Sequence, residues 1–190
     1  MRREKISKAL AEAVGTFAIV FVGCGGIMVA ERFPGSIAKL AIPVLFGLVV
    51  IAMVYALGHI SGAHFNPAVT AAFALARHFP LNQVLVYWVA QFLGALVATV
   101  SLTLLLPAGE LYGATIPMVS PLRAVAWEAV LTFFLMFVIM AVATDTRAVG
   151  TMAGAAIGAT VLFDALLGGP VTGASMNPER SFAPAQNPPR

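Results

Sequence analysis

ISGAHFNPAVT at residues 60–70 and VTGASMNPERS at residues 171–181 are one phrase written twice. Each carries a β-branched or hydroxyl side chain, a Gly, a small residue and then Asn-Pro. A second phrase repeats upstream of each copy. Glu12-Ala13-Val14-Gly15-Thr16-Phe17 is answered by Glu128-Ala129-Val130-Leu131-Thr132-Phe133. The glutamates stand 116 positions apart and the Asn-Pro pairs 111 apart. An ordered pair of motifs repeated at nearly one offset marks a chain built from two related halves. In a membrane protein this points to a pathway at the interface of the halves.

Composition identifies the solvent as lipid. Hydrophobic residues make up 60% of the chain and charged residues only 10%, with mean hydropathy +0.94. Soluble domains carry about 25% charged residues. Apolar runs near 8–28, 40–58, 83–106, 123–143 and 149–168 lie between clusters of charge. Each is about 20 residues, enough to cross a hydrocarbon core as a helix. Backbone groups in lipid must be satisfied within the segment, which selects helices. The alternation of a membrane barrel is absent.

The net charge of +3 is not a nucleic-acid signature. Arg2, Arg3, Lys5 and Lys8 precede the first span, and Arg77 and Arg147 fall in connections on the same side. Arg32, Lys39 and Arg123 fall on the other side. The excess predicts a cytoplasmic N-terminus. The basic start and first apolar run are also the form of a secretory signal. Glu12 interrupts that run and its phrase recurs at Glu128, so the segment reads as a span. Cys24 is the single cysteine, and among Gly23, Gly25 and Gly26 it reads as a small apolar filler.

The two Asn-Pro segments are too short to span. Residues 58–65 are Gly-rich and polar and read as extended. Asn66 then suits an N-cap and Pro67 the first helical position. His78-Phe79-Pro80 stops this helix after about Arg77, half a membrane's depth. In the second copy Gly168-Gly169-Pro170 ends span five, Val171 to Met176 reads as extended, and Asn177-Pro178 starts another short helix. Irregular backbone at membrane depth is tolerated where it is buried or lines a water-filled path. Two half-helices entering from opposite faces meet with their N-termini abutting, and their dipoles form a barrier to cations. Each Asn is expected to cap its own helix and to turn an amide N–H toward the path. Glu12 and Glu128, ionisable groups inside spans, need interior partners. They are expected to hold the extended loop of their own half by accepting backbone N–H bonds.

These residues resemble the aquaporin, or major intrinsic protein, family over nearly the whole chain. GHISGAHFNPAVT at 58–70 is similar to that family's first box (Asn66, Pro67, Ala68), and GASMNPERS at 173–181 to its second (Asn177, Pro178, Glu179). TDTRAVG at 144–150 and GGPVTGASMNP at 168–178 look most like the nodulin-type members and their bacterial relatives. The resemblance implies a bundle of six spans and two half-helices, assembled as a homotetramer with one pore per subunit. It also implies passage of water and small neutral solutes such as glycerol and metalloid hydroxides. Counting from the boxes, it places the narrowest point at Phe46, Ala165, Ala174 and Arg180. Two alanines there leave room for something larger than water, Phe46 supplies an apolar wall and Arg180 supplies donors.

Three departures stand out. Glu179 occupies a position that is small in the family, where it would offset the cation barrier, pair with Arg180 or point away from the pore. Asp164 stands beside the constriction, where the nodulin-type relatives tend to carry Asn, and would pair with Arg180 or stay protonated. After Arg180 no apolar run of about 20 residues follows. The expected architecture is therefore an all-α, aquaporin-like inverted-repeat bundle with two re-entrant half-helices and without the last transmembrane helix. It reads as one domain over 1–190, with repeat one at about 8–106 and repeat two at about 122–190. Gly150, Gly154 and Gly158, and Gly94, Ala95 and Ala98, have the small-residue spacing of close helix contacts. His59, His64 and His78 lack metal-ligand spacing, so no metal or cofactor is expected.

The leading expectation is a passive channel in a plasma or bacterial inner membrane, with lipid, water and small neutral solutes as its partners and no nucleic acid. A non-conducting or partner-dependent subunit is the alternative, favoured by Glu179 and the missing span. An ion-coupled carrier would need a longer relay of Asp, Glu and His. An enzyme is not expected, since no nucleophile–base set, phosphate loop or metal cluster is present.

Overall fold

The computed structural model describes residues 2–107, 112–145 and 147–186. Thr146 of the TDTRAVG stretch and the 187–190 end of repeat two lie outside the described residues. The described chain is all-helical. Its elements are α1 (Arg2–Arg32), α2 (Ala41–Ser61), α3 (Pro67–Leu75), α4 (Leu81–Leu105), α5 (Pro121–Thr144), a 3-10 turn (Gly150–Met152), α6 (Ala153–Thr172) and α7 (Pro178–Ala185). Five of these helices are long and apolar enough to cross a membrane. α3 and α7, of 9 and 8 residues, are half-helices.

Small residues set the packing. α1 lies against α4, where a Cβ on Gly94 would stand 2.2 Å from the Ala13 carbonyl oxygen. Ala95 and Ala98 of α4 are fully buried. α2 and α6 approach equally closely: a Cβ on Gly158 would stand 2.6 Å from the Gly47 carbonyl oxygen. Backbones this close gain dispersion contacts where apolar lipid supplies no hydrophobic drive for helix association. Gly154 packs on the Tyr55 ring, whereas Gly150 sits in the 3-10 turn with nothing within 4 Å of its would-be Cβ. Gly150 therefore does not belong to the helix-contact stripe that its spacing suggests. Cys24 is buried with no exposure. The outer surfaces of α4 and α5 are apolar, with Leu85, Leu93, Val97, Phe133 and Phe137 exposed, as suits a lipid face.

Two boundaries differ from the sequence reading. α2 continues through Gly58-His59-Ile60 to Ser61, so the extended segment begins at Gly62. α6 runs through Gly168-Gly169-Pro170 to Thr172, with Pro170 inside the helix. The physical reason is the same in both halves. The helix end is fixed by a left-handed Gly cap whose N–H donates to a carbonyl four residues back: Gly62 to Gly58, 2.9 Å, and Gly173 to Gly169, 3.1 Å. That cap closes the last turn whatever the propensities upstream. Pro170 is tolerated because it removes one donor near the helix end while neighbouring groups complete the turn.

Candidate functional site

The extended segments 62–66 and 173–177 have matching backbones. Gly62, Ala63 and Phe65 have φ of 89°, 52° and 48°; Gly173, Ala174 and Met176 have φ of 87°, 44° and 51°. Left-handed conformations at non-Gly residues cost of order 1–3 kcal/mol each and persist only when their surroundings enforce them. A buried carboxylate, Glu12, and a half-buried one, Glu128, do so here. Glu12 accepts the N–H of His64 (3.0 Å) and of Phe65 (2.7 Å), and Glu128 accepts those of Ser175 (3.1 Å) and Met176 (2.8 Å). A hydroxyl begins each loop, with Ser61 Oγ accepting from Ala63 N and Thr172 Oγ1 from Ala174 N, both 3.1 Å.

The tips of the half-helices are cross-linked. Asn66 Nδ2 donates to the Met176 carbonyl at 2.7 Å, and Asn177 Nδ2 donates to the Phe65 carbonyl at 3.0 Å. Each box amide thus grips the loop of the opposite half. Capping is not symmetric. Asn66 Oδ1 accepts from Ala68 N (2.8 Å) and Val69 N (3.5 Å), with Pro67 at the first helical position. Asn177 makes no side-chain cap of α7, and among the described residues its Oδ1 has no hydrogen-bond partner. The expectation that each Asn caps its own helix holds for Asn66 and fails for Asn177. Ser175 holds the Asn177 backbone instead: its Oγ donates to the Asn177 carbonyl (2.7 Å) and accepts from Asn177 N (3.3 Å).

Phe46 of α2, Ala165 of α6, Ala174 of the second loop and Arg180 of α7 line one cavity of about 60 Å³, together with Asn66 and Asn177. One wall is apolar, with Val50, Val54, Leu135, Ile139, Ile157 and Val161; the loops 63–66 and 174–177 form the other. Arg180 is 3% exposed. Its Nη1 donates to the Gly113 carbonyl at 3.1 Å, and its guanidinium carbon lies 5.3 Å from the centre of the Phe46 ring.

Glu179 and Asp164 are absent from the cavity lining. Both are fully buried, and among the described residues neither carboxyl has a hydrogen-bond partner. Among the described residues Arg180 forms no ion pair within 4.0 Å, so neither expected pairing with Arg180 is present.

Several residues at the site escaped the sequence reading. Gln91 of α4 donates to Glu12 (2.7 Å) and to Thr70 (3.0 Å). Tyr87 donates to the Ser61 carbonyl (2.7 Å) and Trp88 to the Pro67 carbonyl (3.1 Å). An amide in mid-span was the available signal for Gln91; nothing linear marks Tyr87 or Trp88. His64 bonds Thr70 at 3.1 Å and stacks on Phe73 at 4.7 Å. It borders both the cavity and a wider vestibule beside Glu4, Lys8, His59 and His78.

A bundle of apolar helices with two half-helices meeting tip to tip defines an integral membrane protein of aquaporin-like fold. The chain belongs to the major intrinsic protein family, whose sequence model matches residues 1–186. It is 51% identical to Nodulin-26 of Glycine max over 181 residues, covering 95% of this chain and 67% of that one. It is 49% identical to Aquaporin NIP1-1 of Oryza sativa subsp. japonica, covering 95% and 64%. The chain thus spans about two thirds of the length of these curated relatives. Its fold is similar to the X-ray structure of the aquaglyceroporin from Plasmodium falciparum, with TM-score 0.85, 25% identity, and 96% and 80% of the two chains covered.

Proposed function

We propose that this chain forms a passive pore for water and small uncharged solutes, with glycerol or metalloid hydroxides favoured. The observation that carries the reading is the single cavity bounded by Phe46, Ala165, Ala174 and Arg180 and by both box asparagines. Its two kinds of wall suit a solute with one apolar edge and one hydroxylated edge. The small Ala165 and Ala174 leave the constriction wide, and Arg180 offers donors to a hydroxyl oxygen. Abutting half-helix N-termini disfavour cations, and desolvation in a narrow apolar passage disfavours ions of either sign. Glu12 and Glu128 act as the loop-holding carboxylates. The channel works as a homotetramer in a plasma or bacterial inner membrane, with its N-terminus in the cytoplasm, and needs no cofactor.

Stopped-flow light scattering of proteoliposomes carrying the 190-residue chain tests this. A glycerol gradient should give shrinkage followed by reswelling faster than in empty liposomes, with linear dependence on the gradient. Saturating flux would argue for a carrier, and flux equal to empty liposomes would argue against a pore. A second reading, a non-conducting or partner-dependent subunit, is favoured by the buried carboxyls of Glu179 and Asp164, which have no hydrogen-bond partner. Flux that appears only after Glu179→Ala would support that reading.

A further inference from the structure

We propose that Thr115 is a positioning residue that sets the opening of the pore at Arg180 and Ala174, although it stands outside the cavity lining. The inference rests on the pore reading above. Among the described residues Arg180 is held loosely for a buried cation: one bond to the Gly113 carbonyl, the face of Phe46, and an Nε with no hydrogen-bond partner. Its position therefore depends on where Gly113 sits. Gly113 belongs to the connection between the two halves, two residues before Thr115, and its own freedom is small. A Cβ there would stand 2.7 Å from Cys24 Cβ, and its φ is 75°.

Thr115 fixes this connection to the second loop at both ends. Its side chain packs on Gly173, where a Cβ would stand 2.8 Å from Thr115 Cγ2. Its hydroxyl bonds Ser181 Oγ at 2.9 Å, and Ser181 Oγ donates to Ser175 Oγ at 2.6 Å. Ser175 in turn brackets Asn177 through its carbonyl and its N–H. Three hydroxyls in series thus hold the backbone of Asn177 just ahead of α7, although none of them accepts an N–H of the helix's first turn. In the first half that stabilisation comes from the Asn66 cap and from Tyr87 and Trp88 of α4. The chain Thr115–Ser181–Ser175 flanks Ala174 on one side and Arg180 on the other. Removing the Thr115 hydroxyl loosens both, and the constriction widens toward the larger solute.

The test uses the full chain in proteoliposomes with Thr115→Val, Thr115→Ser and Ser181→Ala. The readouts are the glycerol-to-water permeability ratio and amide exchange over 175–181. Thr115→Val should raise the ratio about fivefold, the population change that loss of one net hydrogen bond produces, and should speed exchange over 175–181. Thr115→Ser keeps the hydroxyl and should restore both values. Ser181→Ala removes the middle hydroxyl of the same chain and should reproduce the Val result, which guards against a misfolded Thr115→Val.

An unchanged ratio in Thr115→Val and Ser181→Ala overturns the proposal, as does a Ser variant that behaves like Val. Water and glycerol flux falling in equal proportion also overturns it, because that reports fewer folded channels. If the unsubstituted chain passes neither solute, the pore reading fails separately. Exchange then decides the coupling: faster over 175–181 in Val but not in Ser supports it, and no difference overturns it.

Discussion

The residues that matter most here are polar groups in places where polarity is costly. Asn66 and Asn177 are counterparts in sequence, yet they carry different loads. The Asn66 side chain caps α3 and also bonds Met176; among the described residues the Asn177 side chain bonds Phe65 and makes no cap. Asn66→Ala should therefore destabilise the chain more than Asn177→Ala, by about 1 kcal/mol, the usual worth of an N-cap. Denaturation of the two variants in detergent micelles checks this, and equal losses would show that the Asn66 cap contributes nothing. The repeated Asn-Pro was legible in the sequence, and so was each glutamate's need for an interior partner. The unequal capping was not legible. Nor was the hydroxyl chain beside Asn177, because Ser181 bonds Thr115, 66 positions away, and no local pattern encodes that contact.

At the scale of elements, the five long helices follow from hydropathy, since about 20 apolar residues in lipid have one satisfactory conformation. Their ends followed less well. Gly58 and Gly168-Gly169-Pro170 read as breakers, but the helices pass through them because the left-handed caps at Gly62 and Gly173 lie further on. Helix contacts divide the glycines in the same way. Gly94→Ala places a methyl on the Ala13 carbonyl of α1 and should cost about 1–3 kcal/mol as overpacking. Gly169→Ala meets nothing within 4 Å and should be neutral or gain up to about 1 kcal/mol of helix propensity. Thermal scans followed by size-exclusion chromatography distinguish them. A tolerated Gly94→Ala would mean that α1 and α4 can separate without loss.

At the scale of the molecule, the proposed orientation follows from charge. Basic residues collect at the start of α1 and at the Arg77 and Arg147 connections, and the N-terminus is assigned to the cytoplasm on that basis. Ser7→Cys and Ser36→Cys place thiols on exposed residues at opposite ends of α1. A membrane-impermeant thiol reagent should label Cys at 36 in intact cells and Cys at 7 only after lysis; the reverse pattern would invert the assignment. The buried Cys24 should stay silent in both. The sequence by itself determined the lipid setting, the helical class and the pairing of two Asn-Pro boxes, because hydropathy and repetition are linear properties. It also named the four positions Phe46, Ala165, Ala174 and Arg180 through a resemblance. Only the tertiary structure decided that these four share one cavity, that each Asn grips the opposite loop, and that Glu179 and Asp164 form no ion pair with Arg180. Those outcomes are set by the direction of side chains across interfaces between segments 52 to 112 residues apart. Direction in space is fixed by packing and by competition for a few buried donors, which spacing along the chain does not record.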